Sequence, residues 1–138
     1  MKSIGKLFKI GQRNLNKYLD MLAQVHGVTG SQLLAIKFIA SNECVTQKDI
    51  EQEFHIKASS VATMIDRMVE KNIVIRIPRL SDKRVNEIHL TKAGEKINGI
   101  ARNAIQMHDE VILQPFSAEE RKTIIKFLEY VADDKINK

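Results

Sequence analysis

Ser59, Ser60, Thr63 and Arg67 fall at helical spacings on one side of the stretch KASSVATMIDRMVEK, and Val61, Met64, Ile65 and Met68, with Ile56 just ahead of it, fall on the other. Serine and threonine are short, so a helix carrying them brings its backbone close to whatever it meets. Their hydroxyls donate or accept hydrogen bonds, and the Thr63 methyl can pack on a thymine methyl. Such a stripe suits the base edges of a DNA major groove. Taken alone, it fits an ordinary amphipathic helix with a polar outer face equally well.

A second group follows at once. The segment PRLSDKRVN carries Arg79, Lys83 and Arg84, with Asp82 two residues before Arg84. In extended chain, residues two apart project from the same side, so the Asp82 carboxylate can hold the Arg84 guanidinium in one orientation before any partner arrives. The concentrated negative potential of a minor groove attracts an arginine presented this way. A surface salt bridge of little value is the plain alternative, but it leaves three cations clustered on one turn unexplained. With Gln47, Lys57 and Arg76 on the flanking elements, the candidate DNA contacts are Gln47, Lys57, Ser59, Ser60, Thr63, Arg67, Arg76, Arg79, Asp82, Lys83 and Arg84.

The elements that must position these residues are readable. Ile4, Leu7, Phe8, Leu15, Leu19, Leu22 and Val25 predict a first helix over about 3–25. Thr29 with Gln32, and Thr46 with Asp49, are capping boxes that open a second helix to about Asn42 and a short third one, TQKDIEQEF. HIK turns into the hydroxyl-bearing helix, about Ala58 to Lys71, and Asn72 stands where a left-handed terminator is needed. The period then changes to two. Val74, Arg76, Glu87 and His89 are expected on one face of a hairpin, with Ile75, Ile77, Ile88 and Leu90 on its buried face. Thr91 caps a long helix to about Leu113, Pro115 breaks it, and Ser117 with Glu120 opens a last helix.

Composition narrows the class. A chain of 138 residues with 43% hydrophobic and 28% charged residues is expected to form one globular domain. Its net charge is +5, and between Lys57 and Lys92 eight cations stand against four anions. The first helix is basic through Lys2, Lys6, Lys9, Arg13 and Lys17, while the part beyond His108 is net acidic. That balance is compatible with a polyanionic partner. A single cysteine, Cys44, allows no internal disulfide and suits a reducing compartment; Glu43 beside it disfavours the thiolate a redox sensor needs. His26, His55, His89 and His108 are far apart and show no metal-ligand spacing, so no metal or other cofactor is expected. No phosphate-binding glycine loop, paired carboxylates or local nucleophile–base motif supports an enzyme. The N-terminus has no continuous apolar core, and the longest apolar stretch, Leu33–Ala40, is broken by Lys37, so neither a secretory signal nor a membrane span is expected and the cytoplasm is the expected location.

The first helix and the last two each carry a wide apolar stripe at a chain end, whereas the central helices and hairpin already form a small core. Pairing the terminal helices across a two-fold homodimer is the economical solution.

The run MIDRMVEKNIVIRIPRLSDKRVNEIHLTKAGE resembles the signature of the MarR family of bacterial winged-helix transcription regulators. The matching residues are Asp66, Arg67 and Met68, then Asp82 and Arg84, then Leu90, Thr91 and Gly94; Asn72 stands where the family usually has glycine. The match is dense over about 56–95, and the helix order agrees along the chain. The resemblance implies a mainly α (α+β) fold: a single domain over 1–138, with a winged helix-turn-helix at 29–92 and dimerisation helices at 1–25 and 93–138. It implies a homodimer that binds double-stranded DNA at a palindromic operator, as a repressor released by a small apolar or phenolic effector. That ligand would lie beside the first, second and fifth helices. A winged-helix protein-interaction module without DNA binding is the competing reading, which the basic wing and hydroxyl stripe disfavour.

Overall fold

The computed structural model describes residues 3–133; Lys2, counted above with the basic first helix, and residues 134–138, expected above to belong to the dimerisation helices, lie outside them. The elements in order are α1 (Ile4–Val25), α2 (Gly30–Ser41), α3 (Gln47–Phe54), α4 (Ala58–Glu70), β1 (Val74–Pro78), β2 (Asn86–Leu90), α5 (Lys92–Leu113) and α6 (Ala118–Ala132). Contacts divide the chain into one unit up to Arg102 and a second from Asn103.

Local chemistry sets the boundaries. Thr29, Thr46 and Ser117 each accept from the third backbone N–H of their helix, while Gln32, Asp49 and Glu120 reach back to the cap, so all three capping boxes close. The ends of α1 and α4 use one device twice. Val28 N–H bonds the Ala23 carbonyl and Ile73 N–H bonds the Met68 carbonyl, each around a left-handed residue, Gly27 at φ 72° and Asn72 at φ 60°. These paired bonds satisfy carbonyls that a helix end otherwise leaves exposed, and asparagine tolerates the left-handed region well enough to replace glycine.

The first unit is built around the side chains of Leu33, Ile36, Ile50, Val61, Ile65, Met68, Val74 and Ile88, all fully buried. Truncating one of the larger of these to alanine typically costs about 2–5 kcal/mol. α1 packs on α2, α3 on α4, and the antiparallel pair β1–β2 rests on α2 and α4. The Ile88 N–H also bonds the Val45 carbonyl at 2.7 Å, so the chain before α3 adds a short third rung.

The hairpin forms, but its faces differ from the sequence expectation. The register pairs Val74 with Leu90 and Arg76 with Ile88, so Val74, Arg76, Ile88 and Leu90 share the inner face. Ile75 and Ile77 lie on the outer face with Glu87 and His89, and are 43% and 42% exposed. Arg76 is tolerated on the inner face because its guanidinium meets the Asp66 carboxylate of α4. The expected buried face was right for Ile88 and Leu90 of β2 and wrong for Ile75 and Ile77 of β1.

Gly94 explains how α5 begins. The Thr91 hydroxyl donates towards the Asn72 and Ile73 carbonyls, at 2.7 and 3.0 Å, and accepts from the Gly94 N–H. This brings the first turn of α5 so close to the end of α4 that a Cβ on Gly94 would stand 2.3 Å from the Ile73 carbonyl oxygen. Only glycine allows that approach.

Candidate nucleic-acid interface

The helix carrying the hydroxyl stripe is free at one end and fastened at the other. Lys57 occupies the N-cap position of α4 without a side-chain capping bond, whereas α1, α2, α3 and α6 are each capped by a Ser or Thr hydroxyl. The first N–H groups of α4 thus have no side-chain acceptor, on the same turn as the exposed Ser59 and Ser60, an arrangement that can receive a phosphate. Gln47, at the start of α3, donates to the Ala58 carbonyl at 3.3 Å and ties the two helices together there.

Ser59, Ser60, Thr63 and Arg67 are all exposed, while Val61, Ile65 and Met68 are buried. Thr63 Oγ1 donates to the Ser59 carbonyl at 3.0 Å, so its proton is committed within the helix. Its methyl and oxygen lone pairs face outward for a thymine methyl or a base N–H.

At the far end, Lys71 Nζ donates to the Gly27 carbonyl at 2.9 Å and to Gln32 Oε1 at 3.1 Å. Gln32 is buried, and the same oxygen accepts the Thr29 N–H. A lysine counted in the sequence as surface charge is therefore a strut between α4 and the α1–α2 turn. Only its remote partners reveal that role.

The turn between β1 and β2 is ordered by Arg79 N–H bonding the Val85 carbonyl at 2.8 Å and Val85 N–H bonding the Asp82 carbonyl at 3.0 Å. Within it Arg84 makes three bonds to one carboxylate: its backbone N–H and Nε to Asp82 Oδ1 at 3.1 and 3.0 Å, and Nη2 to Oδ2 at 3.2 Å. The Arg84 side chain is nevertheless 91% exposed. Geometry is fixed while the charge stays available. The side-chain bonds from Arg84, then its backbone N–H, hold the Asp82 carboxyl below its ordinary value. The clasp is therefore fully formed above the ordinary carboxyl value and is lost only as pH falls on through the lowered one.

Lys83 and Leu80 are also exposed on the turn. Arg79, grouped with them by sequence, is drawn inward instead. Its Nε donates to Glu87 Oε2 at 3.1 Å and its Nη2 to the Cys44 carbonyl at 3.3 Å. His89, then Arg79, bonds the Glu87 carboxyl and lowers its pKa. Cys44 is exposed, and its backbone at φ 54° turns that carbonyl towards the wing. Arg76 faces α4 through Asp66, so of the predicted cations Lys57, Arg67, Lys83 and Arg84 stand outermost.

Among the described residues, no three His, Cys, Asp or Glu side chains are grouped to hold a metal ion. No helix among them is long and apolar enough to cross a membrane.

Comparison with known proteins agrees with this geometry. Residues 26–85 match the model of the MarR family. The chain is 24% identical over 124 residues to the HTH-type transcriptional regulator BilQ of Clostridioides difficile (strain CD3), covering 90% of this chain and 84% of that one. The crystal structure of the transcription regulator MarR from Oenococcus oeni PSU-1 is similar over 95% of this chain and 99% of its own, at TM-score 0.76 and 26% identity. The fold also matches that of S. aureus MepR in a MepR–DNA complex, at TM-score 0.83 and 16% identity over 96% of each chain. The uncapped hydroxyl-bearing helix, the clasped wing and the glycine-tight start of α5 thus sit in a winged helix, the fold of the MarR-type transcription regulators that this chain resembles.

Proposed function

We propose that this protein is a homodimeric repressor that binds a palindromic DNA operator in the cytoplasm and leaves it when a small molecule binds. The observation that carries the reading is the Asp82–Arg84 clasp, which holds an exposed cation in one geometry on an ordered turn. α4 supplies the major-groove contacts through Ser59, Ser60, Thr63 and Arg67, with phosphate at its uncapped start near Lys57, and Arg84 and Lys83 reach the minor groove alongside. MepR, which shares the fold, forms a complex with DNA. A dimer seated on a promoter represses by occluding it.

Two copies suit the exposed apolar residues. α1 leaves Ile4, Leu7, Phe8 and Leu15 exposed; α5 and α6 leave Met107, Val111, Ile112, Phe127, Leu128 and Tyr130 exposed. So many large apolar side chains are costly in a monomer. We expect sedimentation at micromolar concentration to give a dimer, with an interface burying more than roughly 2,000 Å² in total. A folded monomer at that concentration would refute the assembly.

The direct test is a mobility shift with the DNA upstream of the protein's own gene. A discrete complex that unrelated DNA does not form at the same concentration is the expected result; equal binding to both overturns sequence-specific repression. On that operator, Ser60→Ala or Thr63→Ala is expected to cost about 1–3 kcal/mol, with a much smaller loss on unrelated DNA. Equal losses on both would reassign these residues to the DNA backbone.

A further inference from the structure

A cavity of about 400 Å³ opens between α1, α2 and the turn from α3 into α4. Leu19, Leu34, Phe54, Ile56 and Met64 form its apolar part, Asn16, Asp20 and Ser31 its polar part, and the ring of Phe54 is held edge-on against Phe38 at 5.8 Å. Asp20 is the one ionisable side chain in the lining; it is exposed to solvent and makes no hydrogen bond or ion pair among the described residues. Its Oδ1 lies 2.3 Å from where a Cβ on Gly30 would stand, so the carboxylate rests against the bare start of α2.

The charges select the occupant. The positive potential in this wall comes from the N-terminus of α2, and Asp20 already faces it while Thr29 caps it. An anionic ligand would bring a second negative charge to the carboxylate. A cation would give Asp20 a counter-charge and could also use the face of the fixed Phe54 ring. The volume suits a ligand of one ring or a short branched chain.

We propose that this cavity binds an apolar monocation, a protonated or quaternary amine on an aromatic or alkyl body, with Asp20 as its counter-ion. Met64 lies on α4 beside Thr63, and Ile56 lies in the turn leading into α4, so an occupant presses directly on the DNA-reading helix. This site is walled by α3 and α4 in addition to α1 and α2, and it takes nothing from α5. It gives a chemical class to the effector in the repressor reading, on which its regulatory meaning rests; the binding itself does not depend on that reading.

The probe is phenyltrimethylammonium, with benzoate as the anion of similar size. Both are titrated into the full chain labelled with ¹³C at the methionine methyls and followed by calorimetry. The cation is expected to shift the Met64 resonance while Met107 stays in place. Benzoate is expected to bind at least about tenfold more weakly, and Asp20→Asn to remove about tenfold of cation affinity with operator affinity unchanged. Equal affinity for both probes, an unaffected Asp20→Asn variant, or an unmoved Met64 methyl would each overturn the site. Operator anisotropy at saturating cation is a separate arm. A protein that binds the cation at Met64 yet keeps its DNA retains this site and loses the release mechanism.

Discussion

Gly94→Ala is expected to destabilise the protein by about 3 kcal/mol, the upper part of the usual range for forcing a methyl into a filled site. The atom in the way is the Ile73 carbonyl oxygen, a backbone atom already engaged by Thr91, and not the movable end of a side chain. Thermal unfolding by circular dichroism should show a midpoint lowered on the order of 10 °C. Gly99 supplies the control. It lies in the same helix, yet a Cβ there meets nothing within 4 Å. Gly99→Ala should therefore stabilise by about 0.4–1 kcal/mol through helix propensity and reduced freedom of the unfolded chain. One substitution at two positions five residues apart should thus act with opposite signs. Equal effects would mean that the α4–α5 approach is looser than described.

Arg84→Ala should weaken DNA binding about ten- to a hundredfold per dimer, on operator and unrelated DNA alike, because the lost contact reads charge more than sequence. The slope of log affinity against log salt should shrink by about one for each subunit. Asp82→Ala separates charge from orientation. Removing an anion near DNA strengthens binding by electrostatics alone, whereas loss of the clasp releases a side chain now held by three bonds to one carboxylate. We expect orientation to win and Asp82→Ala to bind more weakly. Fluorescence anisotropy at several salt concentrations decides both. If Arg84→Ala keeps wild-type affinity and slope, the wing is not a DNA contact and the repressor mechanism fails.

What could be read in advance was whatever depends on neighbours along the chain. The capping boxes at Thr29, Thr46 and Ser117 are complete within four residues, and Asn72 announces the end of α4 by its tolerance of positive φ. The Asp82–Arg84 clasp is equally local. Partners supplied by distant segments were not legible. Lys71 looked like surface charge until Gly27 and Gln32, about forty residues earlier, were brought to it. Arg79 belonged to the wing by position but is held by Glu87 and the Cys44 carbonyl. The hairpin faces failed for a related reason. Alternation in a five-residue strand gives two candidate faces one residue apart, and Asp66, which lets Arg76 lie inward, is on another element. The motif supplied Gly94 without its cause, since the crowding carbonyl lies twenty-one residues earlier.

The unequal fastening of α4 has a consequence in time and heat. Asn72, Lys71 and Thr91 restrain its C-terminal end, so amide protons there should exchange with solvent only when a larger part of the fold opens. Its first turn lacks a side-chain acceptor and should exchange through brief fraying. In the DNA complex proposed above, a phosphate arriving at that turn would supply the missing acceptor, so association would quench the fraying at an entropic cost offset by new charge-assisted bonds. Selectivity then acquires a kinetic layer. DNA that aligns a phosphate with the open turn would anneal the helix into place and dissociate slowly, whereas misaligned DNA would leave the turn fluctuating and escape early.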